Sequence, residues 1–510
     1  MASSPLFNKQ CQGEGFRNHP LFSLENIHRA YRRCCKHKRR TVNSMKFEQN
    51  LEENLVSLHE ELISGSYRPG RSVAFLVEKP KRREIFAADF RDRVVHHILV
   101  GYLEPRWEGW FIHDSHACRK GKGTHKGVEQ LRSFTRKVTA NRTRRAWYLQ
   151  LDVRGFFITI DRNILYERLA VRESDPAVLW LICTLLFYEP IENCLMRRAR
   201  KADFEKLPAH KTLFKAAPQC GLPIGNLTSQ FFANVYLDAL DQFVKHQLKA
   251  RYYVRYCDDL VLLSEDRVVL ERQKAEIGEF LFNELRLTLN NRRRLRPVAD
   301  GIDFLGYIVR PDYLLVRKRV VGACFERLAR AKEALIQHGL RLDNETRRVY
   351  PWPWTVLEAV YHWLNSYLSH FRKAASYRLV ARLQRRFPWL EEYFRLNGLR
   401  IAYAFSRPRP AFRISQQRAQ LCSRLPGHVL MVQMGRWWEL WGDYPENLLP
   451  KGWRRFSASR LPTVRNVLWK SGLPVAWIGE TGRRVTAINE RVLVRRWPGV
   501  PDQRPLSIVL

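Results

Sequence analysis

Two adjacent acids, Asp258 and Asp259, lie in the run Tyr-Tyr-Val-Arg-Tyr-Cys-Asp-Asp-Leu-Val-Leu-Leu at residues 252–263. Short stretches rich in β-formers flank them, the pattern of a hairpin with its acids at the tip. Neighbouring carboxylates repel each other, and a divalent cation, which takes hard oxygen ligands, is the usual remedy. An Asp-Asp pair alone also reads as an acidic surface turn. A third acid alters the balance. Asp152 ends the strand-like run Trp147-Tyr-Leu-Gln-Leu-Asp152, far upstream. A strand-end carboxylate with a hairpin pair is the donor set that two-metal phosphoryl transfer needs. One ion activates the attacking hydroxyl and the other steadies the leaving group, about 4 Å away.

The boxes around these acids resemble those of reverse transcriptases. Tyr256-Cys-Asp-Asp259 is similar to the family's Tyr-x-Asp-Asp box, and Leu151-Asp152-Val-Arg-Gly-Phe-Phe157 to its first catalytic box. Gly221-Leu-Pro-Ile-Gly-Asn-Leu-Thr-Ser-Gln230 resembles the template and nucleotide box, and Phe304-Leu-Gly-Tyr307 the hairpin that grips the primer. The four occur in the family's order. With the upstream segment the resemblance covers roughly residues 25–395. It implies an α+β right-hand polymerase, with fingers and an antiparallel palm sheet over 71–315 and a helical thumb over 316–400. It implies catalysis by Asp152, Asp258 and Asp259, with two Mg²⁺ ions (or Mn²⁺) held by these acids and Val153. The implied partners are template RNA, primer, cDNA and dNTPs, with room for an accessory protein.

The resemblance also assigns nucleotide contacts. Lys81 and Arg83, in Pro-Lys-Arg-Arg-Glu, match the basic residues that hold the triphosphate. Arg offers a planar fork to phosphate oxygens and Lys a point charge; the alternative is a solvated basic turn. Ile224, Gly225 and Gln230 belong to the nucleotide box, and Phe304, Leu305 and Gly306 to the primer grip. Phe157 stands where the family keeps an aromatic ring. A ring against the 2′ carbon of the sugar leaves no room for a hydroxyl and selects deoxynucleotides; the plain alternative is a core phenylalanine, as for Phe156. Asp92-Arg93 and Arg119-Lys120 fit the family pattern or are internal ion pairs. His113, His116 and Cys118 have poor spacing for a metal.

Most reverse transcriptases have Gln-Gly-x-x-x-Ser-Pro in the nucleotide box; here it is Ile224-Gly-Asn-Leu-Thr-Ser-Gln230. That pattern resembles the enzymes of diversity-generating retroelements, which copy a template RNA with frequent errors opposite adenine. Ile supplies shape but no hydrogen-bond donor, so a polar check on the base pair is lost. Phe111-Ile-His-Asp-Ser-His-Ala-Cys-Arg-Lys-Gly-Lys-Gly-Thr124 and Asn365-Ser-Tyr-Leu-Ser-His-Phe371 resemble segments of the same clade. An antiphage reverse transcriptase shares the chemistry with another purpose, and a catalytically silent RNA-binding scaffold is the reading from another class.

The elements that must position these residues sit in a chain of 510 residues, enough for two to four domains. Its formal charge, 88 − 50 = +38, suits a polyanionic partner. No run of 18 apolar residues and no leader pattern is found, so no membrane association is expected. The ten cysteines lack any C-x-x-C, against a zinc ribbon, and reduced thiols in a prokaryotic cytoplasm are the simplest account. Residues 1–70 read as a basic helical extension and 401–426 as a linker. Residues 427–510 read as a separate α/β module. Gly427 to Trp441, Leu461 to Glu480 and Arg495 to Gly499 resemble the mismatch-recognition domain I of MutS proteins. The matched wedge positions are Trp437 and Glu439, though Arg436 stands where that family has Asp. The last 110 residues carry 18 Lys/Arg against 6 Asp/Glu, which favours nucleic acid.

Overall fold

Leu149 and Leu151 alternate with Tyr148 and Gln150 in β3 (Trp147–Asp152), and Leu260 to Leu263 run unbroken through β6 (Asp259–Ser264). Such apolar runs require cover on both faces, which makes these the central strands of a sheet. The computed structural model describes residues 15–36, 42–78, 82–197, 199–291, 294–337, 354–403, 414–450, 452–485 and 488–497. They fall into two units, 1–312 and 313–510, in a mixed α+β chain.

Among its described residues the first unit holds two sheets and a separate hairpin. β1 (Ser72–Val77) pairs antiparallel with β2 (Arg83–Ala87) and parallel with β4 (Cys194–Met196). The second sheet runs β5-β6-β3-β7, all antiparallel, with β5 at Tyr252–Tyr256 and β7 at Arg294–Pro297. Helices Phe90–Glu108, Leu227–Gln242 and Arg267–Leu285 cover it. Their Val94, Ile98, Phe232, Val235, Ile277 and Leu281 share one core with Leu149, Leu151, Leu260 and Leu262. A hairpin of β8 (Ile302–Phe304) and β9 (Tyr307–Val309) follows.

The N-terminal segment, expected as an extension, belongs to this core. Ile27, Ala30 and Tyr31 of helix Leu24–Cys35 and Leu58 and Leu62 of helix Leu51–Ile63 are buried in it. The helical character of this segment was expected; the packing of helix Leu24–Cys35 on helix Phe90–Glu108 was not. Among the described residues eight cysteines are free and Cys183 is disulfide-bonded, against the expectation of reduced thiols throughout.

The second unit opens with β10 (Leu314–Val316), then helices Lys318–Gln337, Trp354–Phe371 and Tyr377–Arg386 around Cys324, Leu328, Leu357, Leu364, Leu368 and Leu383. A hairpin of β11 (Phe394–Asn397) and β12 (Arg400–Tyr403) ends a stretch expected to be wholly helical. The last sheet runs β15-β14-β13-β16-β17, with β13 at Val429–Met434, β14 at Trp437–Trp441, β15 at Arg455–Ser457, β16 at Val475–Val485 and β17 at Ile488–Trp497. β13 pairs parallel with β16 and antiparallel with β14. Alternation along β13 divides the core. Val429 and Met431 pack with Val464 and Leu468 of helix Leu461–Lys470, and Leu430 and Val432 with Leu421 and Leu425. The region expected as a linker, 401–426, therefore contains strand residues and helix Ile414–Arg424, whose Leu421 closes the second face of the sheet.

Among the described residues no helix is long and apolar enough to cross a membrane. Because Leu58 is fully buried in the core that also contains β3 and β6, Leu58→Ala should cost about 2–5 kcal/mol. Native-state amide exchange in β3 and β6 should quicken accordingly. Unchanged exchange there would make the N-terminal helices a separate appendage.

Candidate active site

The β-ladder sets the geometry of the three acids. In the β3–β6 register Asp152 is the direct partner of Asp259, and in the β5–β6 hairpin Asp259 partners Tyr256. That leaves Cys257-Asp258 as a two-residue turn, in which Cys257 has φ 55°, a left-handed value that costs a non-glycine residue about 1–2 kcal/mol. All three acids are half-buried. The Asp258 carboxyl is held above the usual carboxylate range, first by burial and then by the charge of Asp152, while Arg83 pulls the other way. Asp152 and Asp258 therefore feel each other directly. Asp152 is steered from the far side by Asn290, whose Nδ2 donates to Oδ2 at 3.0 Å and whose amide donates to the Asp152 carbonyl at 2.7 Å. Val153 is buried and pairs with Leu289 in an isolated bridge; the bridging bonds come from the amides of Asn290 and Arg154, which leaves the Val153 carbonyl out.

Beneath the turn lies a group that motif reading did not single out. Arg255 and Asp241 are both fully buried and bonded, with Nη2–Oδ2 at 2.6 Å and Nε–Oδ1 at 2.8 Å. Burial alone would lower the Arg255 pKa, but the Asp241 charge raises it beyond its ordinary value. Tyr253 donates to Asp241 at 2.8 Å, and Arg255 Nη1 donates to Asn234 Oδ1 and to the Cys257 carbonyl, each at 3.2 Å. The pair thus ties helix Leu227–Gln242 to the carbonyl that opens the acidic turn. Segment 114–116 adds a parallel edge to β5, through Arg255 N to Asp114 O and His116 N to Arg255 O, both 3.0 Å. The available signal was an arginine at an inward position of an apolar strand.

The nucleotide candidates converge on β2. Arg83 opens that strand and is exposed. The Phe86 amide donates to the Ile224 carbonyl at 2.8 Å, and the Ala88 amide to Asn226 Oδ1 at 3.3 Å. Gly225 has φ 126°, and a Cβ there would lie 2.7 Å from the Phe86 carbonyl oxygen, so this approach admits only glycine. Phe157 is half-buried beside the same box, its carbonyl bonded by the Leu222 amide at 2.7 Å, whereas Phe156 is a core residue. Gln230 is exposed in the first turn of helix Leu227–Gln242. Lys81 lies outside the described residues. Phe304 is buried at the end of β8, and Leu305 and Gly306, both with positive φ, form the tip of the hairpin. Gln150 Nε2 of β3 donates to the Asp303 carbonyl at 3.1 Å, linking that hairpin to the strand of Asp152.

Other candidates are structural. Asp92 accepts from Tyr67 and the Gly70 amide, each at 2.8 Å, and Arg119 is paired with Glu108 at 2.7 Å. Among the described residues no three His, Cys, Asp or Glu side chains form a metal cage, His113, His116 and Cys118 included. In the second unit Trp437 is 48% exposed, while Trp438 and Trp441 are core. Glu439 accepts from the Trp441 indole at 3.0 Å and faces Arg455 at 3.5 Å.

Two outcomes follow from these charges. Arg255→Met strands a buried carboxylate and should cost about 3–5 kcal/mol, of which adding Asp241→Leu should restore the greater part; thermal unfolding of the two variants reads this. The raised Asp258 pKa means that the folded, metal-free protein holds this proton more tightly than the unfolded chain. That contribution to stability is present in acid and is lost as pH rises through the folded-state pKa. Asp258→Asn should therefore raise the metal-free melting temperature at neutral pH and change it less in acid.

Residues 77–309 match the family described as reverse transcriptase (RNA-dependent DNA polymerase). Protein YkfC of Escherichia coli K12 is 25% identical over 313 residues, 54% of this chain and 75% of that protein. The group II intron-encoded protein LtrA of Lactococcus lactis subsp. cremoris is 26% identical over 247 residues, 48% of this chain and 34% of its own length. Nuclear intron maturase 2 of Arabidopsis thaliana is 22% identical over 43% of this chain and 34% of that one. A telomerase structure from Candida albicans aligns at TM-score 0.36 and 12% identity, over 60% of this chain and 54% of that one, too remote to argue from.

Proposed function

With residues 77–309 a reverse transcriptase domain, we propose that the chain copies an RNA template into cDNA at Asp152, Asp258 and Asp259. The observation that carries this is the register: Asp152 stands opposite Asp259, with Asp258 in the adjoining turn and within its electrostatic reach.

The residues fit a pair of magnesium ions. Every side-chain donor is a hard carboxylate oxygen, and the Val153 carbonyl is left out of its bridge. Mg²⁺ is commonly held by one or two carboxylates together with substrate phosphates. Bound there, two such ions supply the positive charge that the attacking 3′ oxygen and the leaving pyrophosphate need. The chain's own residues do the rest. Arg83 presents its guanidinium to the triphosphate, with Lys81 as second cation, and its charge already bears on Asp258. Phe157, beside the nucleotide box, screens the sugar. Leu305 and Gly306 seat the primer end, and Asn290 with the Arg255–Asp241 pair keeps the acids in place while substrates exchange.

Ile224 supports the finer reading, an error-prone enzyme of a diversity-generating retroelement. Its carbonyl is engaged by Phe86, so only an aliphatic side chain is left for the base pair. In the C-terminal module the exposed Trp437 is the group suited to stack on a base, since Glu439 is held by Trp441 and Arg455. A MutS-like use of this module would rest on the indole.

Primer extension on an RNA template with Mg²⁺ tests the proposal. Asp258→Ala should lower the rate by about 10³-fold or more, since its ligand role has no substitute; equal extension by wild type and variant would end it. Ile224→Gln should reduce misincorporation opposite template adenine severalfold, read by sequencing the cDNA. An unchanged error spectrum would remove the retroelement reading and leave the polymerase.

A further inference from the structure

We propose that the loop 119–124 and the start of helix Thr124–Val138 hold one backbone phosphate of the primer strand. This rests on the polymerase reading and adds to it a binding site outside the catalytic acids.

The loop reads Arg119-Lys-Gly-Lys-Gly-Thr124. Gly121 and Gly123 have φ 73° and 112°, and open space surrounds the place of each missing side chain. The helix is 15 residues long, begins at a glycine cap with no side-chain hydrogen bond, and has no acid in its first turn. Its leading amides thus lack a side-chain acceptor, at the positive end of the helix dipole. Lys120 and Lys126 are exposed, the latter 3.9 Å from Glu129, and Lys122 donates to the His113 carbonyl at 2.9 Å. Nearby acids are already matched: Asp114 by Gln130 and Lys245, and Glu108 by Arg119.

A second observation points to a ligand independently. His116 is 2% exposed, and neither ring nitrogen has a hydrogen-bond partner. Its ring stands against the helix's first turn, where a Cβ on Gly127 would meet His116 Cβ at 3.4 Å. A buried polar side chain without partners calls for one, and a phosphate oxygen at this helix start would accept the imidazole N–H.

Location decides which strand. Thr124 Oγ1 lies 3.2 Å from the Tyr256 hydroxyl, two residues before Asp258. On the other side, Leu305 at the tip of the β8–β9 hairpin reaches the same Gly127 (3.5 Å to a Cβ there), and the rings of His125 and Tyr307 are 6.4 Å apart. The helix start is thus bracketed by the acidic turn and the hairpin assigned to the primer.

The test is fluorescence anisotropy on RNA-template/DNA-primer duplexes carrying one neutral methylphosphonate at a time, near the 3′ end of the primer or in the facing stretch of template. Wild type, Lys120→Ala/Lys122→Ala and His116→Phe are compared, each checked for a wild-type melting profile. One primer position should weaken wild-type binding by about tenfold when neutralised, and both variants should lose that sensitivity. The salt slope should fall by about 1 for each lysine removed. Variants that keep the wild-type sensitivity, or a sensitive phosphate found only in the template, overturn the site. Extension of the unmodified primer by wild type, measured in parallel, reports on the polymerase reading alone.

Discussion

Like charges brought together at the ends of neighbouring strands are the constraint around which the first unit is organised. Burial and the charge of Asp152 push Asp258 toward its neutral form, and hydrogen bonds from its own backbone and from Cys257 offset them only in part. The surroundings must therefore over-determine the geometry. β3 is gripped on both edges, by β6 and β7. Asn290 fixes the Asp152 carboxylate, and the Arg255–Asp241 pair holds the turn through the Cys257 carbonyl. A buried ion pair is a weak source of net stability, because desolvation offsets most of its attraction. Its value here is directional: with Asp241 holding Nε and Nη2, the arginine donates Nη1 to Asn234 and to the Cys257 carbonyl, which ties the turn to helix Leu227–Gln242.

Much of this was legible because the candidate catalytic residues occupy short, local patterns. The Asp-Asp turn between apolar strands, the strand ending in Asp152 and the Leu-Gly hairpin tip each announce themselves within a dozen residues. The long-range partners do not. Asp241 sits in an apolar helical run and reads as an ordinary acid until Arg255, fourteen residues on, folds against it. Asn290 follows a loop and carries no motif. Arg119, read as either a functional cation or an ion-pair partner, proved to be the latter. A helical segment over residues 1–70 was expected, yet no local feature says that its helices complete the core shared with β3 and β6 rather than standing apart.

The net charge of +38 takes on a local meaning once the acids are paired off. In the first unit several basic groups are committed inward, as with Arg162 to Glu189 and Arg255 to Asp241. What stays outside, such as Arg83 and Lys120, flanks the strands and loops nearest the acidic turn.

The helix Ile414–Arg424 has an implication for where the last module begins. Leu430, Val432, Trp441 and Ile478 form one whole side of its sheet, and Leu421 and Leu425 are what shield them. A fragment cut at Gly427 would lay that side bare as a contiguous greasy plane and invite self-association. A fragment that begins before Ile414 would keep Leu421 and Leu425 in place over that side.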